Sequence, residues 1–282
     1  MPYTYDLTLG LPHTNHRFFA EPLMLKYAGH FQWQSLAAAA GLPLSALRTV
    51  DGGEVYASFY YIEIVIPDAA PLESFRLDDT VRFEIALRAF KNIAFEGRLR
   101  FDRPENLGDA SPSIRFANIF ITPEKGNSRL RVAPPAQADF RALPPLPNEE
   151  NPYQLTRAAS ESGSLGLLDG WEPLTSYEHR YDIDVDRDTN GAGLVYFANY
   201  VAFMDTAERF ALTAAAWPPL SRSLRHRRIA YYGNAGVDDT LTIAVTVLRS
   251  DAHPNALGFR YAIRREEDGE TICLSEAIKA VA

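Results

Sequence analysis

The chain has 282 residues and a formal net charge of −8, which argues against nucleic acid or an anionic membrane as its main partner. Hydrophobic residues make up 46% and charged residues 23%, enough for a packed core beneath an ordinary charged surface. At about 150 residues per domain, the length predicts roughly two domains, or one large one. The single cysteine, Cys273, excludes a disulfide framework and a cysteine-based zinc site.

Neither the first ten residues nor the histidines carry a targeting or metal-binding signal. Residues 1–10 lack the basic flank and apolar core of a signal peptide, so we expect a cytoplasmic protein. The six histidines show no spacing typical of a metal site, and we expect no metal ion.

The first half of the chain is predicted to contain one helix and five strands. A strand at 3–9 leads through a loop containing His13 to a helix at 23–40. Pro22 suits the first turn of this helix, and Gly41 suits its end. Period-two alternation then predicts strands at 54–67, 77–90, 93–102 and 113–122.

The second half repeats this order. A strand at 176–186 precedes two glycines and a helix from 196 to about 214. Strands are then predicted at 227–232, 237–250, 257–266 and 271–281. The tripeptide Asp-Asp-Thr opens a strand in each half, at Asp78 and at Asp238. Together with the shared order of elements, it indicates an internal duplication.

These patterns predict an α+β fold of two tandem hot-dog units, each a long central helix wrapped by a curved antiparallel sheet. Residues 194–204 carry no polar stripe, as expected of a helix buried in this way. Periodicity alone also allows an ordinary α+β sandwich with a buried helix. We place the hot-dog units at 1–125 and 173–282. The segment 126–172, rich in proline and without periodicity, is predicted to be a linker rather than packed structure.

The glycine elbow before the second helix resembles a known motif. Residues 193–197, Gly-Leu-Val-Tyr-Phe, are similar to the helix start of hot-dog acyl-CoA thioesterases. The resemblance implies that Gly191 and Gly193 let a thioester carbonyl approach the helix, where a backbone N–H and the helix dipole polarise it. The alternative is that the glycines only let helix and strand pack closely.

The elbow departs from that motif at the catalytic position. Asn190 stands where many such thioesterases have an aspartate, and Phe197 where a subset has histidine. Asparagine is neither a nucleophile nor a general base at neutral pH. Asp188 lies two residues too early to replace the aspartate directly. We therefore assign Asn190 the role of holding a carboxylate or enolate oxygen.

A closer resemblance covers nearly the whole chain. The segments GHFQW (29–33), YASFYY (56–61) and NGAGLVYFANY (190–200) resemble the LnmK-type proteins of polyketide biosynthesis. Those proteins are double hot-dog acyltransferase/decarboxylases. The resemblance implies that the chain takes methylmalonyl-CoA or a similar acyl-CoA, releases carbon dioxide, and loads the remaining acyl group on an acyl carrier protein. No cofactor beyond the coenzyme A thioester substrate is implied.

The same resemblance implies a catalytic tyrosine at Tyr56, as acyl acceptor or hydrogen-bond donor. Ser58 and Tyr60 share its face of the strand and are candidate substrate-binding residues. A free tyrosine has a pKa near 10, so a nucleophilic Tyr56 needs activation, and the sequence shows no adjacent base. His13, in the loop before the first helix, is a spatial candidate.

A basic stretch, SRSLRHRR at 221–228, stands out in an acidic chain. If it precedes a strand, Arg225 and Arg227 are candidates to bind the phosphates of coenzyme A or the acidic helix of a carrier protein. A solvated loop is the alternative.

Three functions follow. The first is the acyltransferase/decarboxylase, with acyl-CoA and acyl carrier protein as partners and a homodimer as a candidate assembly. The second is a thioesterase that uses water positioned by Asn190 or Asp188. The third is a non-catalytic module that binds acyl carrier protein.

Overall fold

The computed structural model describes residues 2–15, 19–124, 126–191, 193–216 and 222–281, and only the backbone where it covers 123–130. The chain divides into two compact units, Met1–Tyr153 and Gln154–Ala282. None of the helices within the described ranges has the length and apolar character needed to cross a membrane.

Within its described residues, the N-terminal unit has one long helix and six strands. The helix is α1 (Glu21–Ala40), and the strands are β1 (Tyr3–Thr8), β2 (Tyr56–Val65), β3 (Thr80–Phe90), β4 (Ala94–Asp102), β5 (Ser113–Glu124) and β6 (Gly126–Val132). The first five form an antiparallel sheet in the order β1-β3-β4-β5-β2, and β6 pairs with β5.

Helix α1 ends at Ala40 as predicted and begins at Glu21, two residues before the predicted start. Pro22 lies in the first turn, and Gly41 closes the helix in the left-handed conformation at φ 68°. Its inner side lies against β4 and β5, where the buried amide of Gln32 donates to Asn118 Oδ1 at 2.6 Å. A Cβ on Gly97 would lie only 2.8 Å from Gln32 Cδ, so this close approach requires a glycine.

The described part of the C-terminal unit has the same sheet. It contains α2 (Tyr153–Ser162, beginning at the unit boundary), α3 (Val185–Asp188), α4 (Asn199–Ala214), β7 (Glu172–Asp182), β8 (Arg222–Tyr231), β9 (Thr240–Arg249), β10 (Ala256–Arg265) and β11 (Thr271–Val281). The strands are antiparallel in the order β7-β9-β10-β11-β8, with α4 between β7 and β8 along the chain.

The two units therefore repeat one topology, because β7 to β11 take the places of β1 to β5. Thr80 and Thr240, the last residues of the repeated tripeptide, open the matching strands β3 and β9. No described side chain from Leu194 to Met204 is exposed, as a helix enclosed by a sheet requires. The predicted α+β double hot-dog fold is confirmed.

The segment 126–172 is not an unpacked linker, and that prediction was wrong. It contains β6 and α2, and side chains such as Phe140, Leu146 and Leu165 are buried. Pro147 caps the short 3-10 turn Asn148–Glu150, where its fixed φ costs little. The compact units divide at Tyr153, within this segment.

Candidate functional site

In the N-terminal unit, the candidate tyrosines of β2 point away from the central helix. Phe59 lies opposite Asn118, whose side chain contacts Gln32 of α1. Directly paired residues share a face and neighbours alternate, so Tyr56 and Ser58 lie on the outer face. An irregularity between Phe59 and Tyr61 interrupts the register, so that Tyr61, which is buried, lies opposite Ala117. The predicted site residues Tyr56 and Ser58 therefore lie on the outer face of the sheet rather than on the side of α1.

Tyr56 has a carboxylate partner. Its hydroxyl donates a hydrogen bond to Glu54 Oε2, and both this bond and burial raise the pKa of Tyr56. The phenol is thus protonated at neutral pH, and Glu54 is in position to accept its proton. From the sequence we expected no base beside Tyr56, and Glu54 was not predicted in this role. The signal was present, because residues two apart on an extended chain share a face.

Tyr60 and Ser58 complete the outer face of β2. The Tyr60 hydroxyl donates to Asn151 Oδ1 at 2.8 Å. Burial raises the pKa of Tyr60 above its ordinary value, so it also remains a neutral phenol. Ser58 is half-buried opposite Ile119 of β5.

His13 is held by its own turn and by α1. Its Nδ1 accepts from the Gly10 N–H at 2.7 Å, and its Nε2 lies 2.9 Å from the Tyr27 hydroxyl. A neutral ring that accepts at Nδ1 carries its proton on Nε2, so it donates to Tyr27. Among the described residues, no hydrogen bond or ring contact joins His13 to the β2 tyrosines.

In the C-terminal unit, the elbow is a compact hydrogen-bonded turn. Asn190 N donates to Leu194 O at 2.9 Å and Gly193 N to Asn190 O at 2.9 Å, while the Asn190 Oδ1 accepts from Leu194 N at 3.3 Å. The N–H groups of Gly193 and Leu194 are thus used inside the turn. The side-chain oxygen of Asn190 stabilises the backbone of the turn, a role that the sequence did not indicate.

Helix α4 begins three residues later than predicted. Val195 bridges to Thr189, and Tyr196 N donates to Asp188 O at 2.8 Å, so the chain still belongs to the turn at these positions. Asn199, the first helical residue, donates its side-chain amide to Asp188 O at 3.0 Å.

The two elbow glycines differ in backbone conformation. Gly193 adopts φ 71°, a conformation that favours glycine. Gly191 does not have a positive φ, and a Cβ there would meet nothing within 4 Å. Close packing against a strand therefore does not explain Gly191.

Asp188 stabilises the elbow turn with a buried carboxylate. Its carboxylate is 2% exposed and accepts from Tyr181 Oη at 2.8 Å, Asp184 N at 2.9 Å and Arg187 Nε at 3.1 Å. Burial acts to raise its pKa, but hydrogen bonds from Arg187, Asp184 and Tyr181 hold the pKa of Asp188 below its usual value. A carboxylate engaged in this way is a structural anchor first.

The basic stretch 221–228 is part of a strand rather than a solvated loop or a segment before the strand; Ser221 itself lies outside the described residues. Strand β8 begins at Arg222, and Arg225 donates to Ser223 Oγ at 2.5 Å. Arg227 is fully buried, with Nη2 3.6 Å from Asp205 Oδ1. Such a side chain lies in the core and cannot meet a solvent-borne phosphate.

A buried ionic network explains why β8 tolerates so much charge. Glu208 of α4 is 0% exposed and accepts from Arg222, from Tyr261 Oη at 2.5 Å and from Lys279 Nζ at 2.7 Å. Lys279 also donates to Asp205 at 2.8 Å. Paired charges of this kind can be buried, whereas single ones cannot.

Within the described ranges, no group of three or more histidine, cysteine or carboxylate side chains converges in a metal-binding arrangement.

No protein-family model and no curated protein matches the chain. Solved structures match it along its length. A protein assigned as an oleoyl thioesterase from Lactobacillus plantarum is 14% identical, with a TM-score of 0.67 over 100% of this chain and 96% of the other. The 12:0-ACP thioesterase from Umbellularia californica is 10% identical, with a TM-score of 0.63 over 100% and 98%.

An acyl-ACP thioesterase from Bacteroides thetaiotaomicron gives a TM-score of 0.62 at 13% identity, over 99% of this chain and 97% of the other. At these identities the likeness establishes the fold. The tandem hot-dog arrangement extends over the full length of the chain.

Proposed function

We propose that the chain is an acyltransferase/decarboxylase that takes a malonyl-type acyl-CoA and loads the decarboxylated acyl group on an acyl carrier protein. The observation that carries the proposal is the hydrogen bond from Tyr56 to Glu54 on the outer face of β2. Glu54 can act as the base that a nucleophilic tyrosine needs. The resemblance of the YASFYY strand to LnmK-type proteins supports the same residue.

The proposed transfer passes through an ester of Tyr56. As the phenol oxygen bonds to the thioester carbonyl carbon, Glu54 takes its proton. The carbon–sulfur bond breaks, and the departing thiolate takes a proton to become coenzyme A. The carrier thiol then attacks the ester and returns a proton to the phenolate. Phenol and thiol pKa values, about 10 and 8.5, are close enough for either group to leave.

Decarboxylation forms no further covalent bond to the protein. Loss of carbon dioxide from a malonyl-type acyl group leaves the electron pair of the broken carbon–carbon bond as a thioester enolate. The enolate takes up one proton to give the saturated acyl group. Hydrogen-bond donors that face the carbonyl oxygen lower the energy of this enolate.

Replacing Tyr56 with phenylalanine tests the proposal. Tyr56→Phe retains the ring and removes the hydroxyl, so the free energy of unfolding should change by no more than about 1 kcal/mol. If Tyr56 carries the acyl group, carrier acylation should fall by orders of magnitude and no acylated chain should form. If it only donates a hydrogen bond, the loss should be about 10²- to 10³-fold.

Carbon dioxide release and carrier acylation are measured together, by mass spectrometry of the carrier after incubation with malonyl-, methylmalonyl- or succinyl-CoA. Tyr3→Phe on β1 is the matched control and should behave as the wild type. Near-normal rates for Tyr56→Phe would remove Tyr56 from the mechanism and turn attention to Ser58, Tyr60 or Asn190.

Thioester hydrolysis is the second candidate, and a specific observation favours it. Two of the structures that share the fold over their whole length are thioesterases named for acyl-ACP substrates. In this case the same incubation should release free acid, with no acylated carrier and no carbon dioxide. A chain that binds acylated carrier and yields neither product would be the non-catalytic module.

A further inference from the structure

Three arginines surround one buried glutamate on the outer face of the N-terminal sheet. Glu96 of β4 is 0% exposed. Its Oε1 accepts from Arg88 Nη2 at 2.7 Å and from Arg98 Nε at 2.8 Å, and its Oε2 accepts from Arg115. We call Arg88, Arg98 and Arg115 the arginine cluster. Glu63 of β2 lies opposite Arg115 on the same face, so the three arginines meet two carboxylates of the sheet and keep an excess of one positive charge.

The strand register makes this excess unusual. Arg98 lies directly opposite Arg115, and like charges in that position repel. Glu96 lies opposite Arg88 and two residues from Arg98, so all four side chains share the face that points away from α1. Glu96 therefore fixes the three guanidinium groups but does not neutralise them.

Glu150 supplies a second carboxylate from the solvent side. Its Oε2 accepts from Arg88 Nη2 and from Arg98 Nη2, each at 2.7 Å. The Arg115 guanidinium donates to the backbone oxygen of Glu150. The hydrogen bond from Arg88 holds the pKa of Glu150 below its usual range, so the carboxylate is charged at neutral pH. Two arginines thus converge on one anionic oxygen.

The cluster does not depend on Glu150 for its geometry. Glu96 orients the arginines from within the sheet, whereas the Glu150 side chain is 39% exposed at the end of a short 3-10 turn. Water screens an ion pair at a part-exposed carboxylate, so Glu150 can leave at small cost. Its departure would expose two arginines with excess positive charge, the arrangement that binds phosphate oxygens.

We propose that Arg88 and Arg98 form a phosphate-binding site that Glu150 occupies in the absence of ligand. The ligand is a phosphate group of coenzyme A or of phosphopantetheine, an identification that rests on the proposed function. This site takes the role that the sequence suggested for Arg225 and Arg227. It also adjoins the β2 tyrosines, because Asn151, next to Glu150, accepts the hydrogen bond of Tyr60.

The test measures binding by titration calorimetry on the full chain, without turnover. The ligands are coenzyme A, 3′-dephospho-coenzyme A, 4′-phosphopantetheine and inorganic phosphate, which together identify the phosphate that is bound. Glu150→Gln should tighten binding about two- to fivefold, the equivalent of one exposed ion pair. Arg98→Gln should weaken it about tenfold, because it removes a charged hydrogen bond.

Glu149→Gln is the matched control, since Glu149 is an exposed neighbour that forms no ion pair among the described residues. Equal binding by the Glu149→Gln and Glu150→Gln variants, or full binding by Arg98→Gln, would overturn the proposal. The network would then only tie the segment 148–151 to the sheet. Tyr56→Phe should bind coenzyme A normally, so a failed phosphate site and a failed transfer mechanism give different results.

Discussion

At the scale of single residues, one carboxylate changes how Tyr56 can act. Glu54 raises the pKa of Tyr56, which lowers the population of phenolate, yet it is also the group that can remove the proton during attack. The two effects predict opposite results when the charge is removed.

Glu54→Gln should therefore separate them. The pKa of Tyr56 should fall toward about 10, as seen by titrating the phenolate absorbance. Acyl transfer should slow by about 10²- to 10⁴-fold, the usual contribution of a general base. Glu105→Gln, at an exposed position after β4, is the control. Faster transfer in Glu54→Gln would show that the phenolate itself is the nucleophile and that Glu54 restrains it.

Asp188→Asn should destabilise the fold more than it affects any chemistry. The variant weakens hydrogen bonds to a buried carboxylate, so the free energy of unfolding should fall by about 1–3 kcal/mol. Because the pKa of Asp188 is lowered, its stabilisation is present above the unfolded pKa of about 3.9 and is lost as the pH falls through the lower folded value.

Urea unfolding at neutral pH and at progressively lower pH would check this. The difference between the wild type and Asp188→Asn should shrink below about pH 4. Asp186→Asn, on the exposed side of the same short helix, should match the wild type throughout. A difference that persists at low pH would mean that the carboxylate charge is not what stabilises the turn.

At the scale of secondary structure, the alternation of side chains predicted most strands and the glycine and proline positions predicted the ends of α1. The start of β8 could not be found in this way. Its arginines look like a surface loop until Arg222 and Arg227 are seen beside Glu208 and Asp205 of α4. Pairing between distant charges is a tertiary property, and local sequence does not contain it.

The candidate site shows the same limit. Tyr56, Ser58 and Tyr60 could be assigned to one face from their spacing alone. That this face lies away from α1, and that Asn190 braces its own turn, depends on register and hydrogen bonds. Glu54 is different, because its spacing from Tyr56 made the pair predictable.

The elbow glycines give a matched pair of variants. Gly193→Ala should cost about 1–2 kcal/mol, because a side chain at φ 71° is strained. Gly191→Ala should change stability by less than about 1 kcal/mol. Thermal unfolding of both variants checks this. Equal losses of stability in the two variants would mean that the turn adjusts to a side chain at Gly193. A larger residue at Gly193 could then be used to test whether a substrate carbonyl approaches the turn.

Gly97→Ala should destabilise the contact between α1 and the sheet. The new methyl group would lie 2.8 Å from Gln32 Cδ, an overlap that should cost about 1–3 kcal/mol. Gln32→Ala alone should also destabilise, since it leaves buried Asn118 without its partner. In the double variant the overlap is gone, so the costs should be less than additive. Additive losses of stability would mean that the methyl group of Gly97→Ala does not act through Gln32.

At the scale of the whole molecule, the repeated topology gives two compact units, of which one carries the single thiol. Cys273 is 0% exposed on β11, and burial raises the pKa of its thiol. It should be inert while the C-terminal unit is folded.

A thiol reagent should therefore react with the native chain only as fast as this unit opens. Reaction rates measured across a urea titration should follow the unfolding of the C-terminal unit. Rapid labelling of the native protein would show that β11 opens locally.

Strand β7 bears on how this protein behaves in a crowded solution. It is 11 residues long, and among the described strands of its unit it pairs with β9 alone. Its other backbone edge can therefore pair with a strand of another chain. Glu178 and Arg180 project from it in exposed ion pairs, and Pro173 lies beside an irregular register. Charge, proline and irregularity are the features that keep an edge strand from recruiting other chains into aggregates. Neutral substitutions at Glu178 and Arg180 should therefore lower solubility while leaving the fold intact.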